Sequence, residues 1–198
     1  MEDLPYSQAS ENNKQPILEI LRRHLTGPGS LLEIGGGTGQ HAVHFAEALP
    51  ELSWQSSDVP ANVPSLNLRI ARAALPNLPV AIALDVTDEP WRCARFDCVY
   101  TANSLHIMSA ECVIRLFASL PGHLNPGARL CVYGPFKYAG DFTSESNSHF
   151  DLWLKERDPV SGIRDFEWVD QLAQSAGLRL LEDNAMPANN QLLVWQAS

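Results

Sequence analysis

Leu31-Leu32-Glu33-Ile34-Gly35-Gly36-Gly37-Thr38-Gly39-Gln40-His41 predicts a buried strand that runs straight into a glycine turn, with a helix at its far end. Alternating glycines let the backbone approach a ligand closely, because no Cβ stands in the way. A dinucleotide-binding turn would read G-x-G-x-x-G and direct free helix N–H groups at a pyrophosphate. Here Gln40 replaces the third glycine, and the carboxylate of Glu33 precedes the loop. The pattern favours a ligand with positive charge and an amino group over a diphosphate.

Strands and helices alternate along the rest of the chain. The pattern predicts strands over residues 30–34, 52–57, 80–84, 96–101, 128–133, 178–181 and 191–196. It predicts helices over residues 11–25, 39–49, 62–75, 109–121, 149–157 and 166–176. We expect a turn at 125–127 and a functional loop in the polar, glycine-rich stretch 134–148. Such alternation predicts an α/β fold, with a mostly parallel sheet that helices cover on both faces.

The bulk composition is that of one ordinary globular domain, with 198 residues, 45% hydrophobic and 19% charged. The net charge of −9, without a basic cluster, argues against nucleic acid as a partner. A small-molecule substrate suits that charge, and a protein substrate with a basic tail is also compatible. We expect a cytoplasmic protein with no membrane partner. Residues 1–5 do not resemble a signal peptide, no apolar run reaches transmembrane length, and the four cysteines lack C-x-x-C spacing.

Polar residues stand at the ends of four predicted strands: Glu33 with its glycine turn, Asp58, Asp85 and Asn103. Ligands of open α/β sheets bind at the carboxyl ends of the strands, near the point where the strand order reverses. Asp58 follows Gly35 by 23 residues, about where an acidic side chain accepts both hydroxyls of a ribose. This arrangement suits S-adenosylmethionine, and it would also suit NAD.

The chain resembles the class I S-adenosylmethionine-dependent methyltransferases over residues 30–135. The residues that carry this likeness are Glu33-Ile34-Gly35-Gly36-Gly37-Thr38-Gly39, Asp58, Asp85-Val86, Phe96-Asp97, Asn103 and Leu124-Asn125-Pro126-Gly127. The segments 11–14, 133–138, 142–147, 165–168 and 186–190 are similar to an uncharacterised methyltransferase-like group, domain of unknown function 938. Together the two likenesses span nearly the whole chain.

The resemblance implies a Rossmann-like three-layer sandwich. Its sheet would have seven mostly parallel strands with an antiparallel last strand, and helices on both faces. We expect a single methyltransferase-like domain over residues 1–198. Within it, residues 1–28 would form an N-terminal helical segment, 29–135 the cofactor-binding half and 136–198 the substrate-side half.

The resemblance also implies S-adenosylmethionine as the cofactor. The residues it assigns to that cofactor are Glu33, Gly35, Gly37, Asp58, Asp85, Val86 and Asn103. Gly35 and Gly37 would let the backbone pass under the methionine part and the ribose. Glu33 would help to hold the loop or the amino group, and Asp58 would accept the ribose hydroxyls.

The remaining cofactor residues carry structural alternatives. Asp85 would accept from the adenine amino group while the Val86 N–H reaches the ring, but Asp85 is also suited to capping the next turn. Asn103 and Ser104 would lie beside the sulfonium, although Asn103 is also a common turn residue.

Methyl transfer needs a base only if the acceptor arrives protonated. His106, just beyond the end of the fourth predicted strand, and Tyr138 are the candidate catalytic residues, and a structural role for His106 is the alternative. Candidates for lining the acceptor pocket are Lys137, Tyr138, Phe142, Arg157, Arg164 and Trp168. His41 and His44 lie three residues apart, but no third ligand is placed to join them, so no metal site is predicted.

The sequence therefore predicts an S-adenosylmethionine-dependent methyltransferase acting on an unidentified small molecule. A non-catalytic protein of the same fold, binding S-adenosylmethionine or a partner, is the alternative. An NAD(P)-dependent oxidoreductase is a third reading. Gln40 in the turn and the absence of a Tyr-x-x-x-Lys pattern weigh against that one.

Overall fold

The computed structural model describes residues 4–198. Residues 1–3, on which the expected absence of a signal peptide partly rests, lie outside them. The helices are α1 (Gln8–His24), α2 (Gln40–Ala48), α3 (Val63–Ala73), α4 (Ala110–His123), α5 (Glu145–Arg157) and α6 (Phe166–Ser175). The strands are β1 (Gly29–Ile34), β2 (Leu52–Asp58), β3 (Ile82–Ala83), β4 (Phe96–Ala102), β5 (Leu124–Gly134), β6 (Phe136–Tyr138), β7 (Asp141–Phe142), β8 (Arg164–Asp165), β9 (Leu178–Met186) and β10 (Asn190–Ala197).

The main sheet has seven strands in the order β3-β2-β1-β4-β5-β10-β9. The first five are parallel, and β10 runs antiparallel to both β5 and β9. This topology confirms the predicted mostly parallel sheet with its antiparallel last strand. The strand order reverses between β1 and β4, which is where a ligand site is expected in such a sheet.

Side chains alternate between the two faces of the sheet with the period of two that a strand imposes. Leu32 packs in a core cluster with α4 and α6, whereas its neighbour Leu31 packs in another cluster with α1, α2 and α3. Val132 and Cys131 on β5 divide between the same two clusters. Helices therefore cover both faces, which confirms the three layers.

The predicted strand over 80–84 is wrong in length, because only Ile82–Ala83 pair with β2. Side chains form hydrogen bonds with backbone groups that a longer strand would have paired with β2. Gln55 donates to the Val80 carbonyl at 2.9 Å, and the Ala81 N–H donates to Asn67 Oδ1 at 2.7 Å. Val80 itself is 70% exposed, so no core contact draws it into the sheet.

The predicted turn at 125–127 lies inside β5 as an irregularity. Phe96 of β4 pairs with Leu124, whereas Cys98 pairs with Arg129, so the extra residues of β5 loop out between the two pairs. Gly127, at φ +76°, provides the turn.

The predicted loop at 134–148 is wrong, because the segment is structured. It contains β6 and β7, which form a small second sheet with β8, and the first turn of α5. The Ser144 hydroxyl caps α5 by accepting the Asn147 N–H at 3.2 Å. Within residues 4–198, no helix is long and apolar enough to cross a membrane.

Candidate functional site

A cleft of about 510 Å³ opens at the carboxyl edge of the main sheet, at the point where the strand order reverses. Its walls come from five parts of the chain. They are residues 35–38 after β1, His41 of α2, residues 102–104 with His106 and Ile107 at and after the end of β4, the start of α1, and one side of α5. A cleft of this volume is within the usual range for a small-molecule site.

The glycine turn forms the floor of the cleft. The Gly35 and Gly36 N–H groups both donate to the Ser57 carbonyl, at 3.0 and 2.9 Å. Gly35 has φ +76°, a conformation that favours glycine, and a Cβ there would lie 2.7 Å from Ser104 Oγ, so a larger residue would displace that hydroxyl. Gly37 has φ +53°, and the nearest atom to a Cβ there would be the Gly35 carbonyl oxygen at 4.0 Å. The backbone of Gly37 therefore borders open space.

Asp58, at the end of β2, is fixed beside this turn. Its Oδ2 accepts the Gly37 N–H at 2.7 Å. Its Oδ1 accepts the Val59 N–H at 2.8 Å and the Asn62 side-chain amide at 2.9 Å. Asp58 is 7% exposed and is not itself a lining residue of the cleft, but it bonds to Gly37, which is.

Glu33 supports the turn from below. Its Oε2 accepts the Ser56 hydroxyl at 2.5 Å and the Trp54 indole N–H at 3.1 Å. A Cβ on Gly36 would lie 3.3 Å from the same oxygen. Burial raises the pKa of Glu33 to about 7, against the opposing effect of the bonds from Ser56 and Trp54. The geometry fits the predicted part of Glu33 in holding the loop.

Asp85 and Val86 follow β3 and do not line the cleft. Asp85 Oδ1 accepts the Thr87 N–H at 2.9 Å and the Thr87 hydroxyl at 2.7 Å, and these bonds lower the pKa of Asp85. This is the turn-capping arrangement that the sequence also allowed. The Val86 side chain is 6% exposed and packs in the core with Trp91.

Asn103 lines the cleft beyond the end of β4. It has φ +55°, a left-handed conformation that asparagine tolerates better than most residues. Its N–H donates to the Tyr133 carbonyl at 2.9 Å, which anchors the tip of β4 to β5. Ser104 follows in the lining, so the structure brings these two residues to the glycine turn.

His106 lines the same cleft and is 5% exposed. Its ring meets the Phe150 ring edge-on, with centroids 5.4 Å apart. Burial, with a smaller contribution from the charge of Arg164, lowers the pKa of His106 to about 4. The imidazole is therefore neutral at physiological pH.

Tyr138 is not brought to His106. Its hydroxyl donates to Asp183 Oδ2 at 2.7 Å, and its ring stacks on Phe166. Burial and the bond to Asp183 raise the pKa of Tyr138 above its ordinary value. Of the six candidates for lining an acceptor pocket, Arg157 is the one in the cleft lining that the structure describes. The other five do not line the cleft. Arg164, for example, donates to the Leu105 carbonyl at 3.0 Å.

Hydrogen bonds hold the start of α1 across the glycine turn, and the sequence did not indicate this contact. Gln40 Oε1 accepts the Ser7 N–H at 2.6 Å and the Thr38 hydroxyl at 3.1 Å, and Gln40 Nε2 donates to Glu11 at 3.1 Å. Arg69 donates to the Thr38 and Pro5 carbonyls, each at 2.5 Å. Gln40 thus holds the start of α1 to the glycine turn, whereas the sequence showed only that a glycine was missing at this position. Ser7 and Glu11 lie 33 and 29 residues from Gln40, so no local pattern could reveal these two bonds.

His41 is part of a buried polar network. Its Nε2 meets Asn13 Oδ1 at 2.7 Å, and its Nδ1 meets the Tyr100 hydroxyl at 3.2 Å. Burial lowers the pKa of His41 to about 4. Both ring nitrogens are therefore engaged in holding α1, α2 and β4 together. In the part of the chain that the structure describes, no group of three His, Cys, Asp or Glu side chains is placed to hold a metal ion.

Comparison with known proteins gives one family and one fold. The family model described as "Protein of unknown function (DUF938)" matches residues 4–197. An O-methyltransferase family protein from Burkholderia thailandensis superposes with a TM-score of 0.82 at 17% identity, covering 96% of this chain and 57% of that one. The S-adenosylmethionine-dependent methyltransferase SibL, in its apo form, superposes with a TM-score of 0.80 at 23% identity, covering 96% and 55%.

A third similar structure was solved with a ligand. CalO1, a methyltransferase in calicheamicin biosynthesis in its SAH-bound form, superposes with a TM-score of 0.74 at 18% identity, covering 96% of this chain and 55% of that one. The chain thus spans little more than half the length of these three structures. Their likeness to it establishes a methyltransferase fold.

Proposed function

This chain belongs to the DUF938 family, and we propose that it is an S-adenosylmethionine-dependent methyltransferase that acts on a small molecule. The observation that carries the proposal is the open space at Gly37, with the Asp58 carboxylate bonded to the Gly37 N–H at its side. The methyltransferase fold of the chain supports it.

The residues at the cleft fit a cationic nucleoside better than a diphosphate. Two carboxyl groups border the glycine turn: Glu33 lies beneath Gly36, and Asp58 accepts the Gly37 N–H. Arg69, the basic residue bonded to the turn, is occupied with the Thr38 and Pro5 carbonyls. A pyrophosphate would meet acidic side chains at the point where it needs N–H donors and positive charge.

Each proposed role follows from position. Gly35 and Gly37 would present backbone to the methionine part and the ribose, and Asp58 would accept the ribose hydroxyls. Asp85 and Val86 lie outside the cleft lining, so the proposal places the adenine beyond it, next along the carboxyl edge after Asp58. Tyr138 is left out of the catalytic set because its hydroxyl is bonded to Asp183.

At the other side of the turn, Asn103 and Ser104 would lie beside the sulfonium. When bound, S-adenosylmethionine supplies a methyl group on a positively charged sulfur, which an acceptor lone pair takes as the carbon–sulfur bond breaks and its electron pair stays on sulfur. The protein's contribution is then alignment in a dry cleft, worth roughly 7–11 kcal/mol at best. His106, as a neutral imidazole, would accept a hydrogen bond from the acceptor's hydroxyl or amino group and take the proton which that group releases on methylation.

Titration calorimetry with four ligands tests the proposal: S-adenosylmethionine, S-adenosylhomocysteine, NAD and NADP. We expect micromolar binding of the two adenosyl ligands and none of the two nicotinamide ligands. Binding of NAD or NADP alone would overturn the assignment of the glycine turn. Binding of the adenosyl ligands, with no methyl transfer from labelled donor to a broad set of small molecules, would favour the non-catalytic alternative.

A further inference from the structure

One side of α5 forms a graded wall of the cleft. Phe150, Trp153 and Arg157 are spaced three and four residues apart, so they stand in line on consecutive turns of the helix. The rings of Phe150 and Trp153 stack with centroids 5.7 Å apart and planes 20° apart. The Arg157 guanidinium lies over the Trp153 ring, 4.6 Å from its centroid. All three side chains line the cleft.

The wall runs from the buried end of the cleft to its rim. His106 is 5% exposed and touches Phe150, which is half-buried. Trp153 is 45% exposed, and Arg157 is exposed. A neutral polar group therefore stands deepest, aromatic surface lies in the middle, and a positive charge stands at the mouth.

Arg157 has no acidic partner among residues 4–198. This is notable in a chain with a net charge of −9, where carboxylates outnumber basic residues. Stacking on Trp153 restricts the guanidinium without using its N–H donors. A planar guanidinium held in this way is suited to bind a carboxylate with two parallel hydrogen bonds.

We propose that the methyl acceptor is an aromatic acid with a hydroxyl or amino group remote from its carboxylate. Its hydroxyl or amino group faces His106, its ring lies along Phe150 and Trp153, and its carboxylate binds Arg157. This inference rests on the proposed methyltransferase function, whose cofactor would occupy the glycine-turn side of the same cleft.

Binding measurements test the acceptor class without relying on turnover. The probes are 4-hydroxybenzoate and 4-hydroxycinnamate, each compared with its neutral amide, titrated into the chain both alone and saturated with S-adenosylhomocysteine. We expect at least one acid to bind about tenfold or more tightly than its amide. In Arg157→Gln that preference should fall to about one, while the affinity for S-adenosylhomocysteine stays unchanged.

Two variants serve as comparisons. Arg179→Gln removes an exposed arginine on β9, away from the cleft lining, and should keep the native preference for the acid. Trp153→Leu should weaken the acid and the amide alike, because it removes aromatic surface and leaves the charge. Trp153 is half-exposed, so both this variant and Arg157→Gln should fold.

Three outcomes would overturn the inference. The amides binding as tightly as the acids would remove the role of the charge, and so would neither acid binding in any state. A loss of S-adenosylhomocysteine affinity in Arg157→Gln would assign this arginine to the cofactor instead. Failure of the native chain to bind S-adenosylhomocysteine would defeat the proposed function, and with it the assignment of the acid as a methyl acceptor. An Arg157-dependent preference for the acids in the ligand-free chain would still establish the anion subsite.

Discussion

The Asp58 carboxylate accepts a hydrogen bond of 2.7 Å from the backbone N–H of Gly37, which joins the end of β2 to the turn after β1. One side chain thereby sets the position of the turn and stands next to the open space above it. The same carboxylate also closes its own turn through Val59 and Asn62. Asp58 is therefore held in place before any ligand arrives.

Replacing Asp58 with alanine should weaken binding of S-adenosylhomocysteine by about 1–3 kcal/mol, because the ribose hydroxyls and the Gly37 N–H lose their acceptor. Calorimetry of the purified variant measures the change. Asp97→Ala is the matched control, since Asp97 also accepts several bonds, from Ser30 and Asn125, but lies at the opposite edge of the sheet. Unchanged affinity in a folded Asp58→Ala protein would exclude the proposed role of Asp58.

Gly37→Ala and Gly140→Ala should cost similar stability, about 1–2 kcal/mol each, because both glycines have a positive φ and both have room for a methyl group. Denaturant unfolding measures this cost. Only Gly37→Ala should also lose affinity for S-adenosylhomocysteine, because its methyl group would fill the space above the turn. Equal ligand affinity in the two variants would mean that nothing binds against Gly37.

Glu33→Gln should remove a pH dependence of stability. The pKa of Glu33 is raised from 4.5 to about 7 in the folded chain, so between these values the folded state keeps a proton that the unfolded state has released. The stability of the native chain therefore falls as the pH rises through this window. Relative to the native chain, Glu33→Gln should gain about 2 kcal/mol in free energy of unfolding between pH 5.5 and 8.5.

Urea denaturation at those two pH values measures the gain from Glu33→Gln. Glu51→Gln, at an exposed position, should show no such gain. A constant difference between Glu33→Gln and the native chain would show that Glu33 is already ionised at pH 5.5.

His106 should stay neutral down to about pH 4, since burial lowers its pKa to that value. Its nitrogen resonances, assigned by comparison with His106→Gln, should stay constant between pH 8 and 5.5. Between pH 6.5 and 4 the unfolded chain binds a proton that the folded chain does not. The contribution of His106 to the free energy of unfolding is therefore full above pH 6.5 and is lost as the pH falls towards 4. A titration of the His106 resonances near pH 6.5 would contradict a neutral imidazole in the cleft.

The sheet was predictable because its signals are local. Leu31 and Leu32 pack on opposite faces as alternating strand residues should, and each of the first parallel strands ends within a few residues of its predicted end. The first turn of α5 was missed although the Ser144 cap is a local signal, and a long-range contact also stabilises that turn. The Asn147 side chain donates to the Asn189 carbonyl, 42 residues away.

The candidate site divides in the same way. Gly35, Gly37, Asn103 and His106 meet because strands that flank a reversal of order must bring their ends together. Tyr138 lies only four residues beyond the end of β5, but β6 carries its hydroxyl to Asp183. The hydrogen bonds of Gln40 depend on how α1 packs against the glycine turn. This is a long-range arrangement that no local pattern of residues predicts.

The hydrogen bond between Ser7 and Gln40 has a practical consequence for handling the protein. Ser7 lines the cleft, so trimming the chain back to α1 would remove part of the cleft wall together with the bond to Gln40. The Ser198 N–H, by contrast, bonds to the Gly177 carbonyl at the far edge of the sheet. Shortening the protein to the start of α1 would therefore open one wall of the cleft, whereas an affinity tag on the carboxyl terminus would lie away from it.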